Sequence, residues 1–171
     1  GHPVLDMIAQ RQDRPVIRDR YVSGSGRLIA LMPGSRAHEV GTLLPRMLEV
    51  AKGWLCDDDR WVIVKAPSVG TDWLSRILAD SGARNVGVHE GRSADVLAAC
   101  DAAVVCSGTA TLEGAALGTP MVVVYDGSMV LRAEYRLRKR GIATPMVAMP
   151  NIILNRMAAP ELLMDNATAR N

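Results

Sequence analysis

Residues 102–114 read Ala102-Ala-Val-Val-Cys-Ser-Gly-Thr-Ala-Thr-Leu-Glu-Gly114. A β-branched apolar run ends at Cys106, a turn of small residues follows at Ser107-Gly108-Thr109, and a helix-like segment carrying Glu113 begins there. Strand, polar turn and helix make half of a βαβ unit. Glycine lets backbone come close to a ligand. The first turn of a helix offers unpaired N–H groups and the positive end of its dipole, which together attract an anion.

The same alternation runs outward in both directions. Short apolar runs predict strands at 27–32, 61–65, 85–89, 102–106 and 121–125, with a weaker sixth near 146–148. Between them, Val40, Leu43, Leu44, Met47, Ala51, Trp54 and Leu55 recur at helical spacing, as do Trp73, Ile77 and Leu78. Pro45 predicts a helix start, with a separate short turn over 37–42. Nearly continuous apolar strands separated by helices imply a parallel sheet covered on both faces. The expected fold is α/β, a doubly wound Rossmann-like sheet in strand order 3-2-1-4-5-6. Residues 1–26 read as one helix-like piece and a linker, Tyr21 to Gly26, and residues 27–171 as one domain.

Composition narrows the functional classes. A net charge of +2, from 20 basic and 18 acidic residues, is too balanced for a dedicated nucleic-acid binder. Cys56, Cys100 and Cys106 are odd in number and lack metal spacing, which suits reduced thiols in a cytoplasmic setting and predicts no metal site. No apolar run approaches the ~20 residues that span a bilayer. The chain begins at glycine, so a processed chain or an excised domain is expected.

In that strand order, strands one and four are neighbours where the winding reverses, and ligands bind beyond their carboxyl ends. The loops meeting there are Pro33-Gly34-Ser35-Arg36 and Ser107-Gly108-Thr109. Gly34 and Gly108 admit close backbone approach, Ser35, Ser107 and Thr109 supply hydroxyls, and the planar fork of Arg36 suits phosphate oxygens. The Glu113 carboxylate can accept two hydrogen bonds from a ribose diol. Together they describe a nucleoside diphosphate site. Taken singly, the same residues are ordinary N-capping, with Glu113 favoured by the helix dipole. Neither G-x-G-x-x-G nor a P-loop is present.

Other residues carry weaker signals. His38 and His89 lie at loop mouths and read first as surface or capping histidines, with a place for His89-Glu90 beside the base pocket as the other reading. Asn151, after Pro150, is expected to present an amide to the ligand. Arg132, Arg136, Arg138, Lys139 and Arg140 form a basic cluster, read as a solvated helix face with a membrane-surface role as the other reading.

The ordered set Leu31-Met-Pro-Gly-Ser-Arg36, Glu39-Val40, Leu44-Pro45, Ser107-Gly-Thr-Ala-Thr-Leu-Glu113, Pro120-Met-Val-Val123, Pro150-Asn151 and Pro160-Glu-Leu-Leu163 resembles the lipid-A-disaccharide synthase family over nearly the whole chain. Gly1-His-Pro3 also looks like that family's interdomain segment. The resemblance implies a GT-B glycosyltransferase of Gram-negative bacteria that transfers 2,3-diacylglucosamine from UDP-2,3-diacylglucosamine to the 6-hydroxyl of lipid X. This chain looks like its C-terminal donor-binding domain, metal-independent and without a cofactor. The general base and acceptor site are expected in an N-terminal domain that these residues do not include, so this chain alone is expected to bind without catalysing. A cytoplasmic protein, peripheral on the inner membrane and self-associating as a homodimer through the wall facing the other domain, fits that reading. Two departures stand out: Asp126 follows Tyr125 where the family tends to a basic residue, and Met164 stands where glutamine is frequent. The alternatives are a non-catalytic UDP-sugar or phosphate-binding module, and a UDP-sugar epimerase-like enzyme of the same architecture.

Overall fold

The computed structural model describes residues 3–126 and 146–163. The basic cluster and Met164 lie outside them. Six strands, β1 (Leu28–Met32), β2 (Arg60–Lys65), β3 (Val86–Glu90), β4 (Ala102–Cys106), β5 (Met121–Tyr125) and β6 (Glu161–Leu163), form one parallel sheet. Their order is β3-β2-β1-β4-β5-β6, as the alternation of apolar runs and helices implied. All five residues of β1 are buried, because helices cover both faces of the sheet.

The two faces divide the core by side-chain alternation. Ile29, Leu31, Trp61 and Ile63 pack against Val40, Leu43, Leu44, Met47 and Leu48 of α3 (Ala37–Gly53) and Leu74 of α4 (Thr71–Ser81). Leu28, Ala30, Met32, Val62 and Val64 face the other way, onto Val96 and Leu97 of α5 (Ser93–Ala99) and onto Ile17 and Val22. Each such buried aliphatic side chain contributes about 1.5–3 kcal/mol relative to exposure, so the centre of the sheet is the rigid body of the molecule.

Three expectations change. α3 is one continuous helix of 17 residues with Pro45 inside it. Pro45 lies on the exposed side, where water can serve the carbonyl its missing N–H leaves open, so the apolar stripe on the opposite face carries the helix through. Residues 146–148 are not a strand: the amides of Val147 and Ala148 donate to the Glu161 carboxylate at 2.9 Å each, and Pro150 opens the short helix α7 (Met149–Leu154). The sixth strand is instead Glu161–Leu163, pairing with Val123–Tyr125.

The third change is at the start of the chain, where one helix was expected and two form, α1 (Pro3–Ala9) and α2 (Arg14–Arg18). α2 packs on α5, and α1 on α6 (Thr109–Leu117). Asp101 receives Arg18 Nη1 at 2.7 Å, Arg14 Nη2 at 3.1 Å and the Leu28 amide at 2.8 Å. Although desolvation pushes its carboxyl up, the Leu28 N–H and Arg18 hold it below the usual range. Residues 3–22 are thereby fastened to the sheet.

Candidate functional site

β1 and β4 are hydrogen-bonded neighbours, so the loops leaving their carboxyl ends open onto one crevice. A cavity of about 330 Å³ lies there, lined by Gly34, Ser35 and Arg36 from the first loop and Ser107, Gly108, Thr109 and Ala110 from the second. Its floor is Met32, Val64 and Cys106, and it extends over the ends of β2 and β3 to Lys65, Pro67, Gly91 and Ser93. That volume is at the lower end of small-molecule sites.

The first loop is held open by a backbone constraint. Gly34 has φ +104°, and a Cβ there would lie 2.5 Å from Glu39 Oε2. Glu39 is buried and turned back on the helix start, accepting from the Arg36 amide at 3.3 Å and from Arg36 Nη1 at 2.8 Å. The Arg36 side chain is otherwise exposed at 74%, leaving most of its donors toward the cavity and solvent. Glu39 offsets part of its charge while fixing where the guanidinium sits.

The second loop provides the stronger anion feature. α6 has no side-chain N-cap, and the amides of Gly108, Thr109 and Ala110 have no partner among the described residues. Thr111 Oγ1 donates to the Gly108 carbonyl at 2.7 Å, which fixes the turn without consuming those donors. The open N–H groups and the dipole of a nine-residue helix thus face Arg36 across one cavity. Lys65, only 10% exposed and 3.4 Å from Glu90 Oε1, brings a second cation to the wall. The Cys106 thiol beneath is pushed up to about 12 by burial, so it stays neutral and is no nucleophile.

A family model described as lipid-A-disaccharide synthetase matches residues 1–171. The chain belongs to that family. Lipid-A-disaccharide synthases of Pseudomonas paraeruginosa and Pseudomonas aeruginosa are 37% and 36% identical to it, over 99% and 98% of its length. The chain spans 45% and 44% of those two proteins, a little under half. A solved Listeria monocytogenes structure assigned as a UDP-N-acetylglucosamine 2-epimerase matches with a TM-score of 0.51 at 15% identity, covering 89% of this chain and 40% of that one. This last likeness is one of fold alone.

Of the residues singled out in this lipid-A-disaccharide synthetase family member, the structure brings Gly34, Ser35, Arg36, Ser107, Gly108 and Thr109 to one cavity. Ser107 is there without free donors, since its amide binds Val124 O at 3.0 Å and its hydroxyl binds Val147 O at 2.8 Å. Glu113 sits one side chain behind the wall, 4% exposed, accepting from the Ser93 hydroxyl. Asn151 does not present a free amide. It is fully buried in α7, donating to Ala159 O and Glu161 Oε1 at 2.7 Å each and accepting from the Ala158 and Ala159 amides at 2.8 and 2.9 Å. Its polar atoms are used up in closing the turn into β6.

The remaining candidates divide. His38 is exposed on α3 and does not line the cavity. His89 is 5% exposed behind Gly91, where a Cβ would come within 2.6 Å of its Nε2; its Nδ1 meets Tyr21 OH at 2.9 Å. Asp126 is wholly buried and paired with Arg46 at 2.8 Å, and Glu90 is exposed and engaged by Lys65 and Thr71. Sequence reasoning missed Lys65, Gly91 and Ser93. Lys65 ends β2, and Gly91 and Ser93 follow β3, all at the carboxyl edge, so the rule that selected the loops after β1 and β4 would have found them. Among the described residues no cluster of three His, Cys, Asp or Glu side chains could hold a metal, and no helix is long and apolar enough to cross a membrane.

Proposed function

We propose that this chain is the donor half of a lipid-A-disaccharide synthase, holding UDP-2,3-diacylglucosamine while its diacylglucosamine passes to the 6-hydroxyl of lipid X. The observation that carries this reading is the uncapped start of α6 facing Arg36 across a single cavity at the β1–β4 switch point. The amides of Gly108, Thr109 and Ala110 and the Arg36 fork take the diphosphate. As the bond to the sugar carbon breaks, they meet the charge growing on the departing phosphate oxygen without reorganising, and this is where such donors contribute most. Glu113 takes the ribose diol. No metal or cofactor is assigned a part, because the N–H groups and cations supply the neutralising charge.

Among the described residues the proton acceptor for the lipid X hydroxyl has no counterpart. It must stand on the far side of the sugar from the diphosphate, and the nearby carboxylates, Asp126 and Glu90, are already engaged by Arg46 and by Lys65 and Thr71. We assign the base and the acceptor site to a part of the whole protein outside these residues, across the mouth of the cavity. This chain by itself therefore binds donor and does not form disaccharide.

Calorimetric titration with UDP and with UMP tests the assignment. UDP binds at least tenfold tighter, the effect of one charge-assisted hydrogen-bond set on the second phosphate, and EDTA changes nothing. Equal affinities for the two nucleotides would remove the diphosphate from the argument.

A further inference from the structure

Glu113 has an uncommon arrangement for a buried carboxylate. It is 96% removed from solvent by its 4% exposure, yet its only hydrogen-bond partner among the described residues is the Ser93 hydroxyl, which donates to Oε2. Oε1 has none, although a carboxylate can accept about four hydrogen bonds. It is not sealed off: among the described residues the only enclosed side-chain polar atom without a partner is His89 Nε2, so Oε1 keeps a narrow opening through which a ligand proton can reach it. Ser93, in contrast, lines the cavity. Its helix is held in place from behind: the buried Asp95 accepts from the Gln12 amide at 2.7 Å, and Arg92 donates to the Gln10 carbonyl. The hydroxyl is thus fixed between the cavity and the carboxylate.

A serine hydroxyl has one proton. Because Ser93 commits it to Glu113, the oxygen it turns to the cavity has only lone pairs to offer. We propose that Ser93 is the second half of the diol reader: one ribose hydroxyl donates to Ser93 Oγ and the other to Glu113 Oε1. This rests on the ribose role proposed for Glu113 and names a specificity residue for that same site. Two adjacent acceptors, one of them ionised, fit a cis-diol, which brings two protons. They reject a ligand lacking those hydroxyls, since desolvated acceptors would be left unpaired. They also repel phosphate, which directs the diphosphate toward α6 and Arg36 and fixes the orientation of the nucleotide in the cleft.

The experiment compares UDP with 2′,3′-dideoxy-UDP, with inorganic pyrophosphate as the control for an intact phosphate cradle. The chain prefers UDP over the dideoxy nucleotide, by about 30-fold for two hydrogen bonds of ordinary strength. Ser93→Ala cuts that preference about fivefold without altering pyrophosphate affinity, and Ser93→Thr, which keeps the hydroxyl, retains it. If Ser93→Ala does not fold, Ser93→Cys, of similar volume with a weak acceptor, is read in its place. An unchanged preference in the alanine or cysteine variant, or an equal loss for pyrophosphate, overturns the inference and leaves Ser93 as a tie between α5 and α6. Glu113→Gln separates the two levels. If it lowers the preference while Ser93→Ala does not, only the role of Ser93 fails; if it leaves the preference intact, the ribose reading of Glu113 fails with it.

Discussion

The two edges of the sheet treat charge in opposite ways. At the amino edge, Asp59 is buried and accepts from the Arg27 amide at 2.8 Å, Arg27 Nε at 3.0 Å and Trp54 Nε1 at 2.7 Å, while Asp101 accepts from α2 and β1. Desolvation pushes the Asp59 carboxyl up, but the Arg27 and Trp54 hydrogen bonds hold it well below the usual range. At the carboxyl edge the accounting stays open: three α6 amides, most of Arg36 and one oxygen of Glu113 have no partner among the described residues. Charge satisfied within the chain stabilises the fold. Charge and donors left unsatisfied on a cavity wall are what a ligand completes.

That contrast is sharpest if stability and binding separate by edge. The largest effect expected is on Asp59→Ala, which strands the Trp54 and Arg27 donors and costs about 3 kcal/mol of unfolding free energy in urea titration, with UDP affinity unchanged. Next comes Arg36→Ala, which weakens UDP by about 2 kcal/mol, the scale of a charge-assisted contact. Its side chain is mostly exposed, so the urea midpoint barely moves. A large stability loss in the Arg36 variant, or a large affinity loss in the Asp59 variant, would break the division.

The smallest effect concerns His89, which lies between the two behaviours: buried, bonded to Tyr21 on one nitrogen and unpartnered on the other. Burial lowers its pKa; the Asp95 carboxylate opposes this and Arg20 adds to it. A folded-state value below the ordinary ~6.5 means that, under that pH, the unfolded chain takes up a proton the fold refuses. Stability is therefore full above pH ~6.5 and declines as pH falls from there toward the folded value. Urea midpoints measured between about pH 7.5 and 5.5 should show this slope, and His89→Gln should flatten it. A slope of opposite sign would mean that a partner stabilises the imidazolium.

What could be read before folding was whatever repeats or sits locally. Period and β-branching placed five of the six strands, and the strand order followed from their alternation with helices. Gly34 was legible as a close-approach residue, and the turn at Ser107-Gly108-Thr109 as a helix start with open amides. Asn151 was misread because an amide after Pro150 carries the same local signal whether it faces a ligand or, as here, closes the turn at Ala158 and Ala159. Likewise, three apolar residues at 146–148 look like a strand until the Glu161 carboxylate takes two of their amides.

The sequence by itself determined the class of fold and the two loops at its switch point, because hydrophobic period, glycine and helix-start chemistry act over a few residues. Only the tertiary structure decided which polar groups remain open. Glu113 and Glu161 are both glutamates beside apolar runs. One holds two backbone amides and Asn151; the other meets a single hydroxyl from a helix twenty residues away in sequence and has an oxygen to spare. Partners at that separation are brought together by the order of the sheet, and an unsatisfied atom can be recognised only once every neighbour has taken its place.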